Sequence, residues 1–281
     1  MTITLPNLVP ASQFSVDELT DAYNQTRVDY LVPMPMNAAR LQEYIRVYDL
    51  DLEKSFVAKN GERIFGLGML GLRPQRSWIT RLGVLPNNRR HGIGEMLMEA
   101  MLEASDHAGI PRNILEVIKG NTPGHHLFKK MGFTESRELV ILRRPPSPVS
   151  GTLASEAQWF SKAEAIPFLD ERKGPQAWTN ETESLQNVDD LFGMQICLNG
   201  RGQGWLVFQK TDFNLSRLMF QTKDGDPEAI MLEMLAHLHS KFPKLDTYTE
   251  NIPADDPHLL AFSRMNYINV FERIEMCRKI Q

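Results

Sequence analysis

The clearest amphipathic pattern in the chain runs from Gly92 to Ala108. Apolar side chains recur there at spacings of three and four residues, which places them on one stripe of an α-helix: Ile93, Leu97, Ala100, Met101 and Ala104. The apolar segment Ser77–Leu85, which precedes this helix, is typical of a β-strand. The sequence therefore predicts a strand, a short loop and a long helix in this region.

Shorter patterns predict alternating helices and strands in the rest of the first half. Ser15, followed three residues later by Glu18, has the sequence of a capping box and predicts a helix that ends at Gln25. Asn37 is placed to cap a second helix that ends near Tyr48. Further strands are predicted at 56–58, 64–72, 113–118 and 133–143, and a short helix at 123–131 with Thr122 as its cap.

The second half repeats this order in a weaker form. Strands are predicted at 204–208, 217–220, 245–249 and 268–279, and helices at 227–242 and 257–265. The segment Phe128–Phe133 aligns with Phe262–Tyr267 at an offset of 134 residues. A period of this length indicates a duplicated domain rather than a solenoid.

A proline-rich segment separates the two halves. Pro145, Pro146 and Pro148 exclude a helix interior or a central strand and favour a semi-extended linker. We therefore expect a first domain over residues 1–145, a linker over 146–153 and a second domain over 154–281.

Composition and charge narrow the classes of function. With 42% apolar and 23% charged residues, the 281-residue chain has the composition of a soluble globular protein of about two domains. Its formal net charge is −4, and although residues 1–145 carry 18 Lys and Arg against 16 Asp and Glu, no strong positive field favours nucleic-acid binding. The chain has two cysteines, Met1–Leu8 lacks a signal-peptide pattern, and no apolar run reaches about 18 residues. We therefore expect a cytoplasmic protein that binds no membrane.

The loop before the long helix has the chemistry of an anion site. It reads Arg89-Arg90-His91-Gly92-Ile93-Gly94. Backbone N–H groups at a helix start lack intrahelical partners, and the helix dipole adds partial positive charge there. Two glycines remove the Cβ atoms that would hold an anion away, so this junction predicts a pyrophosphate cradle.

In its context this loop resembles the coenzyme signature of the GNAT family of N-acetyltransferases. The family pattern Arg/Gln-x-x-Gly-x-Gly/Ala is matched by Arg89, Gly92 and Gly94. The segment Leu115–Asn121, followed by Met131-Gly132-Phe133, matches the strand, asparagine and terminal Gly-Phe of family members. The resemblance covers residues 15–145 well and 155–281 poorly. It implies an α/β (α+β) fold of two GNAT-like domains, each a mixed twisted sheet flanked by helices, with the second degenerate.

The resemblance also implies a co-substrate and its contacts. Acetyl-CoA would be the acyl donor, its pyrophosphate held by the N–H groups from Arg89 through Arg90, His91, Gly92 and Ile93 to Gly94. The backbone of Leu82, Gly83 and Val84 would bond the pantetheine arm where the strand splays from its neighbour, and Asn121 would contact that arm near the thioester. Phe128 stands where many members place a tyrosine as general acid, so a hydroxyl or a water would have to replace that function.

Glu116 is the residue best placed to act as general base. An amine is mostly protonated at neutral pH, so a group must accept its proton before attack, and some family members use the glutamate of a similar Leu-Glu-Val strand. Two readings remain open: Glu116 as the base or as a solvated strand residue. His125 and His126 are alternative proton acceptors. Neither cysteine lies in the first half, so direct transfer from thioester to amine is expected.

The sequence says less about the acceptor substrate and about the role of the second half. The loop Tyr30–Met36, which borders the acceptor site in the family, is apolar and proline-rich, and it either suits an apolar acceptor or packs internally. In the second half the corresponding segment, Thr222–Pro227, lacks the glycines, and its Asp224 and Asp226 would repel pyrophosphate. We expect a non-catalytic second domain and a monomer or homodimer. Two alternatives remain: a catalytically inactive acyl-CoA-binding sensor or scaffold protein, and an enzyme with a longer acyl donor such as succinyl.

Overall fold

The structure, a computed structural model, describes residues 6–149, 151–198 and 202–279. The helices are α1 (Val16–Gln25), α2 (Ala38–Val47), α3 (Ile93–His107), α4 (Thr122–Lys130), α5 (Lys162–Leu169), α6 (Thr182–Gln186), α7 (Pro227–Lys241) and α8 (Leu259–Arg264). The strands are β1 (Asn7–Pro10), β2 (Phe56–Asn60), β3 (Arg63–Arg73), β4 (Arg76–Val84), β5 (Arg112–Ile118), β6 (Thr134–Arg144), β7 (Ala157–Phe160), β8 (Leu191–Leu198), β9 (Gly202–Lys210), β10 (Asn214–Gly225), β11 (Asp246–Pro253) and β12 (Ile268–Lys279).

The chain forms two units whose boundary differs from the one expected at residue 145. Unit 1 consists of residues 1–136 and 274–281, and unit 2 of residues 137–273. The proline-rich segment follows β6 and has no helix or strand, but most of β6 already belongs to unit 2, and the C-terminal residues belong to unit 1. Ser150 of the expected linker and residues 1–5 at the N-terminus lie outside the described residues.

Unit 1 is a mixed sheet with helices packed on it. Its strands follow the order β1-β2-β3-β4-β5, with the last residues of β12 on the far side of β5. Neighbours from β1 to β4 are antiparallel, whereas β4 and β5 are parallel. The stripe of α3 is buried in this unit through Ile93, Leu97, Met98 and Met101, which confirms the amphipathic pattern.

Local capping signals set the helix starts, with one correction. The Ser15 side chain accepts a hydrogen bond from the Glu18 N–H at 3.2 Å, and the Glu18 carboxylate accepts one from the Ser15 N–H at 2.8 Å, so the capping box is formed. Asn37 caps α2 as expected. The prediction for α4 is wrong by one residue: Asn121, not Thr122, is its cap, because the Asn121 side chain accepts from the Gly124 N–H at 3.2 Å.

Unit 2 repeats the architecture of unit 1. Its strands follow the order β7-β8-β9-β10-β11-β6, and only β10 and β11 among these neighbours are parallel. Each unit has a β-bulge in the first strand of its parallel pair, β4 in unit 1 and β10 in unit 2. An arginine in the left-handed region lies at each bulge: Arg81 with φ 54° and Arg217 with φ 52°. The predicted repeat is matched by Gly132 and Asn266, which follow the last helix of each half with φ 87° and 62°.

A buried histidine in unit 2 predicts acid sensitivity of folding. His239 on α7 is fully buried, with Nε2 2.9 Å from the Tyr267 hydroxyl. Burial, and secondarily the charge of Arg144, lowers the pKa of His239 to about 3. In the unfolded chain the pKa of this histidine is about 6.5. The free energy of unfolding therefore falls as pH decreases from 6.5 toward 3, by up to about 1.4 kcal/mol per pH unit, because the unfolded chain binds a proton that the folded chain excludes.

Denaturant unfolding at pH 7 and pH 5 measures this loss. Three of the four tryptophans lie in unit 2 (Trp159, Trp178 and Trp205), so indole fluorescence reports on that unit. The variant His239→Gln should be less stable at pH 7 and should lose less stability on acidification. An equal loss in the two proteins would contradict the assignment to His239.

None of the helices in the described ranges is long and apolar enough to span a bilayer.

Candidate active site

A cleft opens in unit 1 where two parallel strands diverge. β4 and β5 pair only at Ser77 with Asn113 and at Trp78 with Ile114. Beyond these pairs, β4 continues to Val84 and β5 continues to Ile118, but the two strands no longer pair with each other. The sheet edges facing this gap are therefore available to a ligand or to side chains.

Strand alternation sets which backbone groups of β4 face the gap. The Leu85 N–H donates to the Phe65 carbonyl on β3 at 2.8 Å, so the N–H and C=O of the preceding residue, Val84, point to the opposite edge. The carbonyl of Val84 accepts from Arg89 Nε at 3.1 Å, and the carbonyl of Leu82 accepts from Arg27 Nη2 at 2.8 Å. The Leu82–Val84 edge is thus polar, as the resemblance implies for a pantetheine contact.

Gly83 explains how the end of α1 reaches this edge. A Cβ placed on Gly83 would lie 2.3 Å from Thr26 Oγ1. Thr26 is buried against the strand, and Arg27 follows it directly. The missing side chain at Gly83 therefore lets α1 deliver Arg27 to the cleft.

The predicted phosphate loop has the backbone of an anion cradle. Arg90 (φ 63°) and Gly92 (φ 79°) both lie in the left-handed region at the start of α3. Gly92 is the N-cap of the helix and no described side chain caps it, while the next residue, Ile93, anchors the turn in the core. A Cβ on Gly92 would meet no described atom within 4 Å, so the space beside this helix start is open. Free N–H groups, the helix dipole and open space together fit a pyrophosphate.

The residues of the loop differ in exposure. Arg90 and His91 are exposed. Gly94 lies close to Leu127, because a Cβ placed on the glycine would be 3.3 Å from Leu127 Cδ2. Arg89 bonds both carboxylate oxygens of Asp29 at 2.7 and 2.6 Å. Its Nη2 also donates to the Thr26 carbonyl at 3.2 Å, so Arg89 ties the phosphate loop to the segment after α1.

Glu116 lies at the other end of the gap on β5. Its Oε2 accepts a hydrogen bond from Trp78 Nε1 at 2.6 Å. The indole belongs to an aromatic group, with ring centroids 5.9 Å from Tyr44 and 5.6 Å from Tyr48. Trp78 is 3% exposed and Glu116 Oε1 is itself buried, so the indole is a fixed support for a carboxylate that lies below the surface.

Tyr44 is part of the same group. Its hydroxyl lies 2.9 Å from Thr80 Oγ1 on β4. Burial raises the pKa of Tyr44 well above its usual range, against the opposing effect of the Arg81 charge. The phenol therefore stays protonated at neutral pH and is a hydrogen-bond donor rather than a base.

The remaining predicted site residues have specific partners. Asn121, besides capping α4, donates from Nδ2 to the Tyr30 hydroxyl at 3.2 Å. Phe128 is 8% exposed and packs in the core, 6.5 Å from Phe133 between ring centroids. His125 Nε2 lies 2.9 Å from Glu135 Oε1 at the surface, and His126 is exposed.

One expectation about the cysteines is wrong. The sequence places Cys277 outside the first domain, but it lies on the part of β12 that belongs to unit 1. It is buried, and its Sγ accepts a hydrogen bond from Arg112 Nε at 3.0 Å. Since β12 pairs with β5 on the side away from β4, this thiol does not line the gap.

The corresponding helix start in unit 2 is closed to anions. The Asp226 side chain accepts from the Ala229 N–H at 3.0 Å and so caps α7 itself. Pro227 at the first turn supplies no N–H. A carboxylate thus occupies the place that an anion would need, as the sequence predicted for this segment.

Removing the indole donor should weaken the function of Glu116. In Trp78→Phe the ring packing is kept, but the Glu116 carboxylate loses its hydrogen bond; hydrogen bonds to charged groups contribute about 1.5–3 kcal/mol. We expect kcat to fall about tenfold or more and coenzyme affinity to stay unchanged, as measured by thiol release and calorimetry. Trp205→Phe in unit 2 is the matched control, because the buried Trp205 Nε1 has no hydrogen-bond partner among the described residues. An equal fall in both variants would contradict a role of Trp78 at the site.

Comparison with known proteins agrees with this geometry. Residues 17–133 match the model of the acetyltransferase (GNAT) family. A GCN5-related N-acetyltransferase from Sphaerobacter thermophilus is similar in structure with a TM-score of 0.72 at 15% identity, covering 99% of this chain and 98% of that one. A tandem GNAT protein from the clavulanic acid biosynthesis pathway has a TM-score of 0.67 at 14% identity, covering 98% of both chains.

A GCN5-related N-acetyltransferase from Anabaena variabilis has a TM-score of 0.59 at 13% identity and covers 98% of this chain and 73% of that one. No functionally curated protein matches the sequence. At these identities the structural neighbours establish the fold, and the family model identifies the domain. Residues 17–133 are a domain of the GNAT acetyltransferase family, and the fold of the chain is that of tandem GNAT proteins.

Proposed function

We propose that this protein is an acetyl-CoA-dependent N-acetyltransferase that acts on the primary amine of a small molecule or peptide by direct transfer. Acyl-CoA-dependent acetyl transfer is the general activity of the family. The acceptor class, the acetyl donor and the assignment of the site to unit 1 are our proposal. We expect a cytoplasmic monomer or homodimer.

One observation carries this proposal. The gap between β4 and β5 has an uncapped, glycine-lined helix start near one end and the Glu116 carboxylate, with its buried Oε1, at the other. The first feature suits a pyrophosphate and the second suits an ammonium group. A donor bound along the cleft would thus be held with its acyl end toward the base.

The residues of the cleft divide the chemistry between them. Acetyl-CoA, when bound, supplies the activated acyl group and a thiolate leaving group. Glu116 accepts a proton from the amine as the C–N bond forms. The Val84 N–H, which points into the gap, donates to the negative charge that develops on the acyl oxygen. Proximity of amine and thioester supplies much of the rate increase.

A catalytically inactive acyl-CoA-binding protein is the second candidate. It is favoured by Phe128, which stands where many family members have a tyrosine and which packs in the core with Phe133. A phenyl ring cannot protonate a thiolate, so activity requires that the thiolate leaves unaided, which its low basicity permits.

Calorimetry with acetyl-CoA, followed by free-thiol release over a panel of amines on the same sample, distinguishes these functions. Binding with amine-dependent thiol release supports the enzyme. Binding without release from any amine supports the sensor. Absence of binding would contradict the assignment of the Arg89–Gly94 loop.

A further inference from the structure

Arginine and tyrosine side chains alternate along the α1 side of the cleft in unit 1. The Arg27 guanidinium lies 4.2 Å from the Tyr30 ring centroid and 5.4 Å from that of Tyr23. The Arg81 guanidinium lies 5.3 Å from the Tyr23 centroid and 4.1 Å from that of Tyr44. We call these five residues the Arg–Tyr ladder. Two guanidinium groups therefore share one tyrosine ring.

Arg27 within this ladder has no anionic partner in the described part of the chain. No carboxylate there lies within ion-pair distance of it, and its side chain makes one hydrogen bond, donated by Nη2 to the Leu82 carbonyl at 2.8 Å. Its Nε is buried and has no hydrogen-bond partner among the same residues. Arg89 nearby is different, because both of its terminal nitrogens bond the Asp29 carboxylate. A guanidinium has five donors in a planar fork that fits a carboxylate, so Arg27 is left with unused donors.

The ladder faces the proposed reaction space. The Leu82 carbonyl that holds Arg27 lies on the edge of β4 at the gap, and the Tyr30 hydroxyl accepts from Asn121 Nδ2 at the start of α4. The far end of the ladder, Tyr44, is in ring contact with Trp78, which holds Glu116. Cationic side chains thus line the route between the asparagine and the proposed base.

We propose that Arg27 is a specificity-determining residue that binds a carboxylate of the acceptor, so that the substrate class is amines that also carry a carboxylate, such as amino acids. This inference rests on the proposed function. Glu116 alone would repel an anionic acceptor, and a fixed guanidinium offsets that repulsion while it orients the amine toward the base. Stacking on Tyr30 and Tyr23 limits the side-chain entropy lost on binding.

The test uses matched acceptors and matched variants of the full chain. Amino acids, their amides and the corresponding decarboxylated amines are compared by thiol release from acetyl-CoA, and by calorimetric binding to the protein saturated with coenzyme A. The variants are Arg27→Gln, the conservative Arg27→Lys, and Arg40→Gln, which changes an exposed arginine of α2 whose side chain has no partner among the described residues.

We expect kcat/KM for the carboxylate acceptors to exceed that for their amides by about tenfold or more, from the usual strength of charge-assisted hydrogen bonds. Arg27→Gln should abolish this ratio mainly through KM, Arg27→Lys should restore part of it, and Arg40→Gln should retain it. Acetyl-CoA affinity should be unchanged in Arg27→Gln. If no amine releases thiol but the acids still bind through Arg27, the proposed enzyme fails and the carboxylate site stands.

Two results would overturn the inference. The first is equal turnover and equal binding of acids and amides in the unmodified protein. The second is a loss of acetyl-CoA affinity in Arg27→Gln with the ratio between acids and amides unchanged, which would place Arg27 on the coenzyme.

Discussion

The variant Gly92→Glu should lose about 30- to 150-fold in acetyl-CoA affinity. Gly92 has φ 79° at the N-cap of α3, a conformation that costs other residues about 1–2 kcal/mol. The new carboxylate would also stand in the open space beside the free N–H groups of the helix start, where it would repel pyrophosphate by about 1 kcal/mol or more. Together these effects amount to about 2–3 kcal/mol, or about 30- to 150-fold in Kd.

The chain offers a matched control for this variant. Gly109 follows α3 with φ 69° and is exposed, and a Cβ placed on it, as on Gly92, would have no described atom within 4 Å. Gly109→Glu therefore introduces the same charge and a similar strain at the other end of the helix. Calorimetric titration with acetyl-CoA should give an unchanged Kd for it, and Gly92→Ala should fall between the two because it adds strain without charge. Normal affinity in Gly92→Glu would mean that this loop does not hold the coenzyme.

The second large effect is expected in Glu116→Gln. General-base catalysis contributes about 10²–10⁴-fold in rate, and we expect kcat for thiol release to fall by that amount. The amide oxygen of glutamine can still accept the hydrogen bond that Trp78 donates at 2.6 Å, so the local packing should be kept. Acetyl-CoA affinity should stay unchanged, since the change removes the proton acceptor and leaves the phosphate loop intact.

Glu103→Gln is the control for this loss of charge. Glu103 lies on the exposed side of α3, and its side chain has no partner in the described ranges. Its variant should keep the kcat of the unmodified protein across pH. A normal kcat in Glu116→Gln would exclude Glu116 as the base and direct attention to a water or another side chain.

The two units share one fold but differ at the start of the helix that follows the gap. Both have parallel strands that part beyond a short paired segment, and both have an arginine bulge before the gap. Unit 1 leaves its helix start uncapped, but in unit 2 Asp226 caps α7 with its own carboxylate. A side-chain cap stabilises a helix by about 1 kcal/mol, so Asp226 stabilises α7, whereas α3 starts without such a cap, as the proposed anion site requires.

Local sequence signals predicted the elements whose formation is itself local. The capping box at Ser15, the apolar stripe of α3 and the glycine after α4 act within a few residues of one another, and all three elements form as expected. The strands at the edge of unit 2 were missed. β7 is four residues long and β8 has an irregular mixture of buried and exposed positions, so neither has a period that distinguishes it from a loop.

The sequence also predicts part of the candidate site. The glycines and arginines of residues 89–94 and the position of Glu116 form motifs with fixed spacing, and short spacing fixes geometry. Arg27, Tyr23 and Tyr44 carried no such signal, because their ring and guanidinium contacts join residues from α1, α2 and β4. An arginine next to an apolar proline-rich loop has no sequence pattern that distinguishes it from a surface charge.

The sequence by itself determined most of the helices and strands of unit 1 and the duplication, and it predicts the anion-binding loop, since each depends on residues that are neighbours along the chain or on motifs of fixed spacing. Tertiary structure alone decided which unit the C-terminal strand joins, which partners hold Arg89 and Glu116, and that Arg27 meets no carboxylate among the described residues. Strand pairing and side-chain contacts between distant segments depend on which surfaces the folded chain brings together. Local composition, such as the prolines after Arg144, marks where regular structure ends and contains no information about that pairing.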